Sequence, residues 1–114
     1  MNTGFSKEQI ISLVGQGKDE ARRAGQAMYA QVGERDACGF GWVEVYVSRT
    51  NSKEAKALIE AGFRKSYKPK CLDMWDPAGI PTQSISVKEA GASAMAEFLR
   101  MTLGLNAYAG SRLD

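Results

Sequence analysis

Four basic side chains fall within seven residues, and this is the densest charged segment of the sequence. Residues 64–70 read Arg-Lys-Ser-Tyr-Lys-Pro-Lys, the next acidic residue is Asp73, and Trp75 follows closely. Basic side chains neutralise phosphates, while aromatic rings stack on bases at about 1–3 kcal/mol per base. The segment indicates either a ligand-binding hairpin, with Arg64, Lys65 and Trp75 as contacts, or a solvated turn.

A second candidate lies near the end of the sequence, where residues 108–112 read Tyr-Ala-Gly-Ser-Arg. An arginine beside Gly and Ser can hold a phosphate through its guanidinium group and the adjacent backbone N–H groups. Tyr108, Ser111 and Arg112 are therefore candidate ligand contacts. The alternative is that these residues form a frayed terminus.

Several kinds of catalytic chemistry lack their residues in this sequence. There is no histidine, and the two cysteines, Cys38 and Cys71, are 33 residues apart. Ser-His and Cys-His nucleophile pairs are thus excluded, as is a four-ligand zinc site. The sequence predicts no enzyme, metal or cofactor; a nuclease using Asp73, Asp76 or Glu44 with a metal is the remaining catalytic alternative.

Composition predicts one globular domain over residues 1–114. The chain is 44% hydrophobic and 25% charged, which is average for a globular domain. A net charge of +2 is small, so we expect no stable DNA binding. No signal-peptide pattern or long apolar run occurs, so we expect no membrane association, an intracellular location and reduced cysteines.

Helix-capping patterns begin at Ser6, Asn51 and Ser86, and they predict three helices. The first is expected over about 7–31, with a kink or break near Gly15 and Gly17. Its small residues, Gly17, Ala21, Ala24 and Gly25, allow close approach of another helix. That helix is either part of the same chain or part of a second subunit, so the N-terminal segment 1–35 is a candidate oligomer interface.

Residues 39–47 alternate as a strand does, with valines on one side and Phe40, Trp42, Glu44 and Tyr46 on the other. That second side is either another buried face or a platform for a flat ligand. Together with the helices, the pattern predicts an α+β domain with one mostly antiparallel sheet and about three helices packed against it. The other two helices are expected over 52–61 and 87–103. The other strands are expected as a hairpin of 63–67 and 71–75, a short strand over 83–85, and a final strand or tail over 106–112.

Four segments resemble a family of small bacteriophage proteins. They are the run Cys-Gly-Phe-Gly-Trp-Val at 38–43, the Met74-Trp75 pair, the pair Gln83-Ser84 leading into Val-Lys-Glu-Ala at 87–90, and the ending Asn-Ala-Tyr-Ala-Gly-Ser-Arg-Leu-Asp at 106–114. The resemblance covers about 38–114. It implies a phage product in the host cell cytoplasm, and we expect an anti-defence protein that sequesters a cyclic oligonucleotide signal of the CBASS type without cleaving it.

On this hypothesis the ligand is a cyclic di- or trinucleotide held between subunits of a homo-oligomer. Trp75 and Tyr108 stack on bases, Arg64, Lys65 and Arg112 contact phosphates, and Ser111 contacts a ribose or phosphate oxygen. Two other functions remain open: a phage inhibitor that binds a host protein, and a small nucleic-acid-binding accessory protein.

Overall fold

Three helices and four strands make up residues 4–114, the part of the chain that the computed structural model describes. All neighbouring strands are antiparallel, in the order β2-β3-β1-β4. The predicted α+β class is therefore confirmed. The elements are α1 (Lys7–Val32), β1 (Gly39–Tyr46), α2 (Lys53–Glu60), β2 (Arg64–Lys65), β3 (Cys71–Trp75), α3 (Ile85–Leu103) and β4 (Asn106–Leu113).

From β1 onward the chain follows a β-α-β-β-α-β path. Strands β1 and β2 are parallel to each other with β3 between them, and β3 and β4 are parallel with β1 between them. This is the split β-α-β arrangement of ferredoxin-like domains. Helix α1 precedes that unit and packs along α3 and α2.

Helix α1 is continuous from Lys7 to Val32, so a break at Gly15 or Gly17 is wrong, while a kink there stays a prediction. The Ser6 hydroxyl caps the helix by accepting from the Gln9 N–H at 3.2 Å. At Gly17, an added Cβ would lie 3.2 Å from the Met95 side chain. Close packing against α3 thus offsets the low helix propensity of glycine at this position.

The small-residue stripe of α1 is used within the chain. Gly17, Ala21 and Gly25 are buried, and a Cβ on Gly25 would lie 2.7 Å from Ile80. Of the two alternatives for this stripe, the structure shows the intramolecular one. An oligomer interface elsewhere on segment 1–35 stays a prediction, and residues 1–3 of that segment lie outside the described part of the chain.

Helix α3 starts earlier than predicted, at Ile85. Of the strand predicted over 83–85, the structure shows only an isolated antiparallel bridge between Ser84 and Cys38. The cap of α3 is Ser84, which accepts from the Val87 N–H at 3.3 Å. Asp36 fixes this start by accepting from the Ser84 hydroxyl at 2.6 Å and the Ser86 N–H at 2.7 Å. Similarly, Ser52 caps α2 where the sequence pattern favoured Asn51.

The core lies between the helices and one side of the sheet, which we call the inner face. Val43, Val45, Leu72 and Ala107 are fully buried there. Helix α3 packs on β1 and β4. It comes so near that a Cβ on Gly41 would lie 2.8 Å from the backbone of Lys88.

Strand β4 is a paired strand and not a frayed tail. It pairs with β1 over eight residues, from Asn106 opposite Tyr46 to Leu113 opposite Gly39. The alternative of a frayed terminus is therefore wrong for these residues. The strand brings Tyr108 and Arg112 into the sheet.

Candidate functional site: the open face of the sheet

The side of the sheet away from the helices, which we call the outer face, carries the aromatic residues of β1. Phe40, Trp42, Glu44 and Tyr46 are each half-buried, and they alternate with buried residues along the strand. The Lys88 ammonium of α3 lies 5.5 Å from the Phe40 ring centroid, while the backbone of α3 lies against the other side of β1, at Gly41. Of the two alternatives for this side of the strand, a fully buried second face is therefore wrong, and the platform for a flat ligand stays a prediction.

Strand register gathers four of the six predicted ligand contacts on this outer face. Trp75 lies opposite Trp42, and Arg112 lies opposite Phe40. Tyr108 lies opposite Glu44. In addition, Arg64 lies opposite Asp73, whose other neighbour is Glu44. Cross-strand partners share a face, so these side chains project to the same side.

Lys65 and Ser111 do not join that group. Lys65 lies opposite Leu72 and Ser111 lies opposite Gly41, both of which belong to the inner face. The Ser111 hydroxyl donates instead to the Glu89 carboxylate of α3 at 2.5 Å. Because successive strand residues point to opposite sides, the structure brings four of the six predicted contacts to the outer face and leaves Lys65 and Ser111 on the other side.

Two tryptophans form the centre of the outer face. The rings of Trp42 and Trp75 are stacked, with centroids 4.6 Å apart and planes 22° apart. Phe40 meets Trp75 edge-on at 5.9 Å. On the other side of Trp42 lies Gly110, where an added Cβ would be 2.5 Å from the indole. The absence of a side chain at Gly110 therefore leaves room for the ring of Trp42.

Arg112 contributes a cation beside these rings. Its guanidinium carbon lies 5.3 Å from the Phe40 ring centroid and 5.8 Å from that of Trp75, within cation–π range. Among residues 4–114, no carboxylate forms an ion pair with Arg112. Its charge is therefore available to an anionic ligand.

Glu44 braces the face from the middle of β1. Its side chain is 12% exposed and accepts hydrogen bonds from the Trp42 indole at 2.9 Å, the Tyr46 hydroxyl at 2.9 Å and the Lys68 ammonium at 2.8 Å. Burial by itself would raise the pKa of Glu44, but these three donors outweigh it and leave the pKa below its usual value. Glu44 is therefore an ionised anchor that orients Trp42.

A shallow hollow of about 190 Å³ lies beside the tryptophans, and Tyr67, which is 93% exposed, stands at its rim. Small-molecule sites usually enclose about 300–1,000 Å³, so this hollow accommodates part of a ligand and leaves the rest outside it. Its walls are formed by Trp42, Glu44, Ser66, Asp73, Trp75 and Arg112.

Several residues that build this face carry no signal in the local sequence. Gly110 and Lys68 act through partners distant in the chain, Trp42 and Glu44, so no local pattern marks them. Phe40 and Trp42 did carry a signal, since their alternation with valines placed them on one side of a strand.

The described residues contain no group of three or more side chains suited to hold a metal ion. No helix within residues 4–114 is long and apolar enough to cross a membrane. Comparison with protein-family models, with curated proteins and with solved structures found no match.

Proposed function

We propose that the outer face binds a nucleotide ligand and that the protein sequesters a cyclic oligonucleotide signal without cleaving it. The observation that carries this proposal is one open sheet face on which exposed aromatic rings adjoin Arg112, an arginine that has no acidic partner among residues 4–114. On the resemblance to phage proteins, the role is anti-defence, in the cytoplasm of the infected host cell.

Base stacking falls to the exposed rings. Trp75 is 40% exposed and Tyr108 is 49% exposed, so both offer ring surface that no described side chain covers. The Trp42 ring stacks on the Trp75 ring, and the Glu44 carboxylate accepts a hydrogen bond from the Trp42 indole. A supported ring loses little conformational freedom when a base lies on it, which favours binding.

Phosphate contacts fall to Arg112 and Arg64. Arg112 lies beside the tryptophans, while Arg64 is exposed at the β2 edge of the same face. The acidic residues of the face are offset, because Glu44 is paired with Lys68 and Asp73 lies opposite Arg64. An anionic ligand therefore meets a surface whose carboxylates already have basic neighbours.

The hydrogen bonds of Glu44 support binding without cleavage. Glu44 accepts three hydrogen bonds and its pKa is lowered, so it is a poor general base near neutral pH. The sequence contains no histidine to replace it. We therefore expect the ligand to be recovered intact.

A second candidate function is the binding of single-stranded nucleic acid. The observation that favours it is that Trp42 and Trp75 lie on the two central strands of a β-α-β-β-α-β sheet. RNA-recognition motifs stack bases on aromatic residues of a four-stranded sheet. This argument is an analogy of fold, and topology alone does not fix a function.

The test is a thermal-shift panel with cyclic di- and trinucleotides, linear nucleotides and short oligonucleotides. A ligand at 100 times its Kd stabilises by about 2.7 kcal/mol, which gives a clear shift in Tm. We expect a shift with one cyclic nucleotide, loss of that shift in Trp75→Ala, and no loss in Tyr29→Ala, whose ring is similarly exposed on α1.

Other results of the panel distinguish the alternatives. A shift with oligonucleotides only, with steep salt dependence, supports the second candidate in place of the first. Stabilisation by no nucleotide contradicts both, and would direct attention to a host-protein partner.

A further inference from the structure

The two edges of the sheet differ in how they are protected from pairing with another chain. Strand β2 forms one edge and contains only Arg64 and Lys65, so it is short and charged. Strand β4 forms the other edge with eight residues, none of them lysine or proline. Short, charged edge strands resist pairing, whereas long ones invite it.

The hydrogen-bond pattern shows which backbone groups of β4 point away from the sheet. The Asp114 N–H donates to the Cys38 carbonyl at 3.1 Å, which makes 38 and 114 a hydrogen-bonded pair. Bonding alternates along an antiparallel pair, so residues 106, 108, 110 and 112 also bond toward β1. The backbone groups of 107, 109, 111 and 113 therefore point to the open edge.

Part of that edge is already occupied. The Arg100 guanidinium donates to the Ala107 carbonyl at 2.7 Å. No described residue bonds to the outward backbone groups of Ala109, Ser111 or Leu113. The free stretch is therefore centred on Ser111, and its side chains are exposed.

We propose that this edge pairs with β4 of a second copy of the chain, antiparallel and about a two-fold axis at Ser111. Antiparallel pairing of identical strands closes on itself, as two-fold dimers require. In this register Ala109 lies opposite the partner's Leu113, and Ser111 lies opposite the partner's Ser111. The backbone groups that form this pairing are those of Ala109, Ser111 and Leu113, to which Arg100 does not bond.

The pairing joins the outer faces of the two copies into one surface. The register sets Gly110 opposite the partner's Arg112, next to the ring of Trp42, which lies over Gly110. Each set of tryptophans thereby gains a second arginine, supplied by the other copy. This consequence rests on the proposed function: two equivalent half-sites about an axis suit a ligand with two bases and two phosphates.

The test is the molar mass in solution of wild type, Ala109→Pro and Ala109→Ser, measured by light scattering and sedimentation without ligand. Proline removes an N–H that points to the open edge, so the bonds to β1 remain. We expect twice the single-chain mass for wild type and Ala109→Ser, and the single-chain mass for Ala109→Pro.

A wild-type protein that is monomeric up to its solubility limit would overturn the proposal, as would a folded Ala109→Pro variant that still dimerises. If that variant does not fold, amide exchange of the wild type decides. We expect the N–H groups of Ala109, Ser111 and Leu113 to exchange more slowly as concentration rises. Exchange independent of concentration overturns the proposal.

Ligand titration separates this proposal from the proposed function. A dimer that binds no nucleotide leaves the edge pairing in place and contradicts the function. A monomeric wild type that binds a cyclic nucleotide contradicts the edge pairing and supports the function.

Discussion

The two faces of this sheet are made by alternate residues of the same strands, yet they differ in how far their side chains are buried. On the inner face, Val43, Val45 and Leu72 are fully buried under α3 and its neighbours. On the outer face, Trp42 and Trp75 are only partly covered. On the proposed function, stability depends chiefly on the inner face and binding on the outer face, so substitutions on the two faces should have different effects.

Glycine serves both faces, in different ways. At Gly41 the missing side chain lets the backbone of α3 lie against β1, since a Cβ would be 2.8 Å from Lys88. At Gly110 it makes room for the side chain of Trp42. The first contact is between two backbone segments and cannot relax by a rotamer change, whereas the second involves a side chain.

The largest loss of stability should come from Leu72→Ala on the inner face. Leu72 has no exposed surface, and removal of a buried leucine costs about 2–5 kcal/mol through lost burial and the cavity left behind. Urea unfolding measures this loss. A loss below about 1 kcal/mol would contradict the account of the inner face.

Gly41→Ala should be next, with a loss of about 1–3 kcal/mol, because the new methyl group meets the α3 backbone. The matched control is Gly15→Ala in α1, where a Cβ has nothing within 4 Å. We expect that variant to gain up to about 1 kcal/mol from higher helix propensity. Thermal unfolding of both variants tests the contrast, and equal effects would refute it.

Glu44→Gln should cost about 1–3 kcal/mol, since the charged acceptor of three hydrogen bonds becomes a neutral amide. This residue connects the two roles, because it anchors Trp42. We therefore expect weaker nucleotide binding as well, measured by calorimetric titration. Unchanged stability together with unchanged affinity would show that Glu44 does not brace the face.

Asp36 lies on neither face of the sheet. We expect its contribution to the free energy of unfolding to change only at acid pH. Hydrogen bonds from the Ser84 hydroxyl and the Ser86 N–H lower its pKa from 3.8 to about 2. Its contribution is therefore present above pH 3.8 and is lost as the pH falls toward 2. The Asp36→Asn variant should lose less stability than wild type over that interval in acid unfolding, and parallel curves would contradict this.

Local signals in the sequence predicted most of the elements. The cap at Ser6 and the left-handed Gly104 at the end of α3 satisfy groups within a few residues, so a short pattern contains the information. The alternation along β1 likewise separated the valines from the aromatic residues. These features depend on neighbours in the chain and little else.

Features that depend on distant residues were missed. Ser84 caps α3 because Asp36, 48 residues away, holds its hydroxyl. The faces of Lys65 and Ser111 depend on strand register, which a one-residue shift would invert. Similarly, the edge of β4 stays open at Ser111 because the Arg100 guanidinium donates to the carbonyl of Ala107 and not to the residues beyond it. No pattern within the 108–112 segment reports any of these contacts.

The assignment of nucleotide binding to the outer face is tested most directly by the affinity and stability of Trp75→Ala, with Tyr29→Ala as the control. Calorimetric titration with the cyclic nucleotide that gives the largest thermal shift measures affinity, and urea unfolding measures stability. The account predicts that Trp75→Ala binds roughly 5–150-fold more weakly, the equivalent of about 1–3 kcal/mol per stacked base, and remains folded. Equal affinity in wild type and a folded Trp75→Ala variant would contradict the assignment of binding to the outer face.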